Sequence, residues 1–169
     1  MNSLFFVSSK RYTEGLLKVI SYARRKSFKK LCFVSLNFPA SMLRKMFRQN
    51  NMNFRNFIII DIVTKKIDQT VKDEEHCIYL NPTHDFAELR NLFKDAGLSR
   101  KCDVIIVDSL SSMLVYHHDK EVFEAIQKIS SLVPEKTSKV MYTMLKDAVQ
   151  PLSHHVQMLI DEAHDTDKL

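Results

Sequence analysis

Short unbroken apolar runs alternate along the chain with stretches of helical period. Leu4-Phe5-Phe6-Val7, Leu31-Cys32-Phe33-Val34, Phe57-Ile58-Ile59-Ile60, Cys77-Ile78-Tyr79-Leu80 and Val104-Ile105-Ile106-Val107 each read as a buried strand. Lys139-Val140-Met141-Tyr142 and Val156-Gln157-Met158-Leu159-Ile160 are the last strand candidates. Between them, Leu16, Val19, Ile20 and Ala23 make one helical face, and Met42, Leu43, Met46 and Phe47 a second, opened by Pro39-Ala40-Ser41. A turn at Asn81–Asp85 leads into a third face, Phe86, Leu89, Leu92, Phe93 and Ala96, which Gly97 is placed to end. Val122, Phe123, Ile126, Ile129 and Val133 form a fourth. Strands that are apolar throughout, separated by amphipathic helices, predict an α/β fold: a mostly parallel sheet of about six or seven strands with helices on both faces. No linker or repeat divides the chain, so residues 1–161 are expected to form a single domain, followed by a polar tail over 162–169.

Glycine changes the functional picture. The chain has two, Gly15 and Gly97, where average usage would give about twelve. The G-x-G-x-x-G fingerprint and the G-x-x-x-x-G-K-[ST] phosphate loop both need glycine where backbone approaches phosphate, so neither is present. Cys32, Cys77 and Cys102 are dispersed and form no C-x-x-C, which excludes zinc-ribbon and redox motifs and suggests reduced thiols in a cytoplasmic protein. No apolar run approaches the roughly 18 residues of a membrane span, and no signal peptide is evident.

In a parallel sheet, ligands bind outside the carboxyl ends of the strands. The residues leaving those ends are Ser8-Ser9-Lys10, Ser35-Leu36-Asn37, Asp61, Asn81, Asp108-Ser109 and Thr143. Asp108 is the sharpest candidate, because four apolar residues followed by Asp have the form of a Walker B strand, whose carboxylate holds Mg²⁺. An Asp in that place can equally cap the next helix. The pairs His117-His118 and His154-His155 cannot chelate alone, since adjacent residues point apart. A metal site would need His84 or His117 to converge with Asp108. Ser109 and Ser111 lack the G-x-S-x-G elbow of serine hydrolases. Asp73-Glu74-Glu75 reads as solvated charge.

The run Asp103-Val104-Ile105-Ile106-Val107-Asp108-Ser109-Leu110-Ser111-Ser112-Met113-Leu114-Val115-Tyr116 closely resembles the Walker B region of the KaiC/RecA-like ATPase superfamily, especially small archaeal KaiC relatives without a phosphate loop. Residues 33–39, 57–64, 78–82 and 159–162 resemble further strands of those relatives in the same order. The resemblance implies a three-layer RecA-like domain. It also exposes departures from active members. At the phosphate-loop position, Ser9, Tyr12 and Glu14 stand where glycines belong, Lys10 lies between them, and Gly15 and Leu16 replace the Lys and Ser/Thr. Asn37 occupies the place of the Glu that activates water; it can hydrogen-bond a water but cannot take its proton. The resemblance therefore implies a degenerate nucleotide site built of Ser9, Lys10, Tyr12, Glu14, Gly15, Asn37, Asp108 and Ser109, with no catalytic residue and neither ATP nor Mg²⁺ expected as a cofactor. It further implies a regulatory or scaffolding role through self-association or an active ATPase paralogue, with a residual nucleotide binder relying on Asp108 as the alternative.

Charge adds one more expectation. The net charge is +5, yet residues 1–56 hold twelve Lys/Arg against the single acid Glu14. Arg24, Arg25, Lys26, Lys29 and Lys30 cluster where the first helix should end; Arg44, Lys45 and Arg48 form a second group, with Arg44 and Arg48 on one face. This basic third is a candidate surface for an acidic partner or for nucleic acid.

Overall fold

The apolar runs become strands because each can bury both faces within a sheet. The computed structural model of the chain describes residues 1–26, 28–81, 91–92, 101–132, 139–147, 152 and 154–169. Among them, strands β1 (Asn2–Val7), β2 (Leu31–Ser35), β3 (Phe57–Asp61), β4 (Cys77–Tyr79), β5 (Val104–Asp108), β6 (Lys139–Leu145) and β7 (Glu162–Asp165) form one sheet in the order β4-β3-β2-β5-β6-β1-β7. Every pairing between these strands is parallel. β2 and β5, at the centre, are buried at every position, as their continuous apolar character requires.

Helices α1 (Tyr12–Arg25) and α2 (Ala40–Gln49) cover one face. Leu16, Val19, Ile20 and Ala23 of α1 meet Phe5, Phe33 and Ile106 there. The α2 stripe is rotated from the expected one: Ala40, Leu43, Met46 and Phe47 are buried, and Met42 stands half exposed. Helices α3 (Leu110–Tyr116) and α4 (Asp119–Leu132) cover the other face, where Leu110, Met113, Val122, Ile126 and Ile129 pack on Val34, Ile105 and Tyr142. α3 lies inside the motif run, and Leu110, Met113 and Leu114, at i, i+3 and i+4, form its buried face. The turn and helix expected over Asn81–Gly97 lie outside the described residues except for Asn81, Asn91 and Leu92, as do His84 and Val133.

Two expectations near the carboxyl terminus are corrected. The run Val156–Ile160 is not a strand; α5 (His154–Gln157) and a turn occupy it. Val156, Leu159 and Ile160 share helical spacing, so a short apolar run there fits either structure, and all three reach the core as one face. The polar segment 162–169 is not a bare tail. Its first half is β7, registered on β1 from Ser3 opposite Glu162 to Phe6 opposite Asp165. His164 stacks on Phe5 at 4.8 Å, and the Thr166 hydroxyl, buried in the following 3-10 turn (Thr166–Lys168), donates to Phe6 O at 3.0 Å. An edge strand buries little, so its polar sequence concealed it.

Candidate functional site

The carboxyl end of β5 carries Asp108 into the middle of the molecule with no solvent exposure. Four neighbouring segments converge on it. From β6, Thr143 Oγ1 donates to Asp108 Oδ1 at 2.6 Å. From the first turn of α1, the Tyr12 hydroxyl donates to the same oxygen. From the loop after β2, Asn37 Nδ2 faces Tyr12 Oη at 3.0 Å, Ser109 Oγ at 3.2 Å and Asp108 Oδ2 at 3.4 Å. From α3, the Ser112 hydroxyl donates to Asn37 Oδ1. The Asp108–Ser109 peptide is cis.

Local sequence explains how each group arrives. Ser35 Oγ accepts from Phe38 N at 3.2 Å and donates to Phe38 O at 2.7 Å, while Leu36 N donates to Asp108 O at 2.7 Å. These bonds continue the β2–β5 ladder by one step and hold Asn37 over Asp108. Ser109 is the N-cap of α3, accepting from Ser112 N at 3.3 Å, so the cap role expected of Asp108 belongs to its neighbour. Tyr12 arrives because the connection from β1 to α1 is short: Ser9–Arg11 form a single 3-10 turn and α1 begins at Tyr12. Its ring lies 5.7 Å from that of Phe38.

The electrostatics follow from burial. Desolvation pushes the Asp108 carboxyl above its usual range, and the hydrogen bonds from Thr143, Tyr12 and Asn37 pull the other way. Burial, then the adjacent Asp108 charge, pushes the Tyr12 phenol far above its usual value, which keeps it a neutral donor. The assembly is thus a closed hydrogen-bonded cluster. Asn37 offers two amide hydrogens to three acceptors.

Of the residues assigned to the degenerate nucleotide site, Tyr12, Asn37, Asp108 and Ser109 are brought together, joined by the strand-end residue Thr143, and Ser9, Lys10, Glu14 and Gly15 are not. Ser9 turns outward and donates to Asp147 Oδ2 at 2.5 Å, and Lys10 is exposed. Glu14 lies on the solvent face of α1, 4.0 Å from Arg11 and 3.8 Å from Lys18, so its charge is directed away from Asp108. Gly15 is a packing glycine: a Cβ there would stand 2.5 Å from Val7 Cγ1 and 3.2 Å from Thr166 Oγ1. Thr143 is one of the strand-end residues; the one signal for Ser112 in the sequence is its place three residues after the N-cap Ser109.

Asp61, another strand-end carboxylate, is wholly spent on structure, accepting from Ala40 N, Val63 N, Thr64 N and Thr64 Oγ1 at 2.5–2.8 Å. Ser111 accepts from Leu145 N at 2.9 Å. His117 sits 3.4 Å from Glu121. Among the described residues, no three His, Cys, Asp or Glu side chains gather as a metal site requires.

The basic residues divide. Arg44 pairs with Glu74 at 2.5 Å and lies 5.0 Å over the Phe54 ring. With Asp73 accepting from Tyr79 N at 2.8 Å, this shows that two of the three acids at 73–75 organise the β4 approach and are not merely solvated. Arg24, Arg25, Lys26, Lys29, Lys30, Lys45 and Arg48 are exposed. No helix among the described residues is long and apolar enough to cross a membrane.

No protein-family model matches the chain, and no curated protein does. Solved structures do. A KaiC-like protein from the hyperthermophilic archaeon Pyrococcus horikoshii superposes with a TM-score of 0.64 at 12% identity, over 97% of this chain and 71% of that one. The flagellar accessory protein FlaH of Methanocaldococcus jannaschii superposes with a TM-score of 0.52 at 12% identity, over 97% and 70%. The parallel sheet, its two helical layers and these likenesses together establish that the chain has the α/β fold of KaiC-like, RecA-like proteins.

Proposed function

We propose that this chain is a non-catalytic KaiC/RecA-like module that has lost its ATP site and acts through protein contacts. The observation that carries the reading is the occupation of Asp108 by the protein itself. Both carboxylate oxygens are engaged by Tyr12, Thr143 and Asn37. A magnesium ion at Asp108 would have to displace Tyr12 from a position fixed by the first turn of α1. The phosphate cradle of an active relative needs glycine backbone between its first strand and helix. This chain has a short turn there, with Tyr12 behind it. Asn37 supplies no base to activate water.

A scaffold acts by being bound. Ile67 is 84% exposed at the carboxyl rim of the sheet, and Met42 is 50% exposed at the start of α2 near the same rim; these are apolar side chains that a partner would cover. ATP hydrolysis is the test. Purified protein with Mg·ATP should release phosphate at the background rate, and Asp108→Ala should leave that rate unchanged. Turnover above background that disappears in Asp108→Ala would contradict the reading.

A further inference from the structure

The cations of the first third have a destination that their sequence positions do not reveal. α1 and α2 both run from the carboxyl edge of the sheet to its amino edge, so their basic ends, Arg24-Arg25-Lys26 and Arg48, arrive at the same rim. The segments that enter the strands add Lys29 and Lys30 before β2, Arg55 before β3, Lys101 before β5 and Lys139 as the first residue of β6. The order β3-β2-β5-β6 sets these entries side by side. Three interstrand steps make a row about 14 Å long. Within it, Arg24, Lys29, Asn53 and Asn56 line a cavity of about 450 Å³.

These charges are uncompensated. Asp103 stands at the same rim, but its Oδ2 is spent on the backbone amides of Lys29 and Lys30 at 2.7 and 2.9 Å. Among the described residues, none of Arg24, Arg25, Lys26, Lys29, Lys30, Arg48, Arg55 and Lys101 forms an ion pair, whereas Arg11, Lys18, Arg44, Lys128 and Lys146 each hold a carboxylate. Helix dipoles account for cations at the ends of α1 and α2, but not for those that enter the strands from separate loops.

We propose that this amino-terminal rim docks the phosphate backbone of double-stranded DNA without reading its sequence. Charge and surface character select the partner. A protein partner is anchored by an apolar or aromatic cluster at the centre of the contact. Among the described residues, the exposed large apolar side chains Met42, Ile67, Val115 and Leu169 lie elsewhere, and Met1 and Met158 stand at the β1–β7 end of this rim, beyond the row of cations. Interfaces with DNA are polar and strongly positive, as this row is. A single strand needs exposed rings on which bases stack. The aromatic side chains of this region, Tyr22, Phe28 and Phe54, are half-buried and pack against the core, and Lys26 and Arg44 lie over the Tyr22 and Phe54 rings at 5.4 and 5.0 Å. Phosphates spaced along a duplex groove edge would meet the row, and the cavity between Arg24 and Asn56 would receive one of them.

The test is fluorescence anisotropy of a labelled duplex of about 20 base pairs, titrated with the full chain at several salt concentrations. Four phosphate contacts predict an affinity that falls roughly 100-fold between about 50 and about 200 mM salt. A variant combining Arg24→Gln, Lys29→Gln, Lys30→Gln and Arg48→Gln should weaken binding at least about tenfold and flatten the salt dependence. A control combining Lys10→Gln, Lys65→Gln, Lys72→Gln and Lys120→Gln removes the same charge elsewhere and should bind as wild type. Circular dichroism and melting of both variants establish that they are folded. The proposal is overturned if wild type gives no anisotropy change at low salt, or if the control loses as much as the rim variant. It is also overturned if polyglutamate of matched charge displaces the duplex stoichiometrically, which would assign the rim to an acidic protein.

Discussion

Asp108 is a carboxylate where burial disfavours charge, and this has a measurable consequence. Its native pKa is raised, chiefly by desolvation. A raised value favours the folded state while the group is protonated. That contribution is complete below the unfolded value of about 3.9 and is lost as pH rises through the native value. Asp108→Asn removes the titration. Compared with wild type, the variant should therefore gain stability as pH is raised from about 4 to about 7, measured by urea unfolding across that range. A deficit that grows with pH would show instead that the ionised carboxylate stabilises the cluster. Gly15 makes a second prediction at this scale. Alanine would improve helix propensity by about 1 kcal/mol, but its Cβ would stand 2.5 Å from Val7 Cγ1, on a β-branched side chain held in a buried strand. Overpacking of that kind costs about 1–3 kcal/mol. Gly15→Ala should therefore be destabilising, by up to about 2 kcal/mol in chemical denaturation.

Elements differ in how plainly the chain announces them. β2, β3 and β5 are continuous apolar runs with both faces buried, and their sequences state this directly. β7 does not, because at an edge it exchanges backbone hydrogen bonds with β1 and buries little. Its fastening is specific nonetheless. His164 stacks on Phe5, Lys18 Nζ donates to Thr166 O at 3.0 Å, and Lys146 pairs with Asp165 at 2.5 Å and also with Asp167. Deleting residues 162–169 should lower stability by on the order of 3 kcal/mol, since it strips the β1 edge and uncovers the contact between Gly15 and Val7. A deletion that leaves the melting temperature unchanged would contradict this. The site was legible to a similar degree. Asp108 was visible because an apolar strand precedes it, and Asn37 because Ser35-Leu36-Asn37 leaves a neighbouring strand. The bond from Tyr12 to Asp108 was not visible, since it depends on how soon α1 begins after β1. Nor was the bond from Ser112 to Asn37, which crosses 75 residues of sequence. Glu14 holds a phosphate-loop position in sequence yet pairs with Arg11 and Lys18 on the solvent face, because helix phase, not order in the chain, decides which way a side chain points.

At the scale of the whole molecule, the parallel sheet gives the protein two unlike ends. The carboxyl end gathers Tyr12, Asn37, Asp108, Ser112 and Thr143 into a closed polar cluster. The amino end gathers exposed cations from α1, α2 and the segments that enter the strands. Cys32, Cys77 and Cys102 are buried and form no disulfide, and burial pushes the Cys77 thiol up to about 11. In a KaiC-like fold the carboxyl end is where ligands are expected, so the proposed function rests on whether that cluster is already full. The most direct measurement is thermal stability against Mg·ATP concentration. A specific site held at 100 times its dissociation constant would add about 2.7 kcal/mol. A self-filled site predicts no shift at millimolar nucleotide in wild type or in Asp108→Ala; a clear shift in wild type that Asp108→Ala abolishes would contradict it.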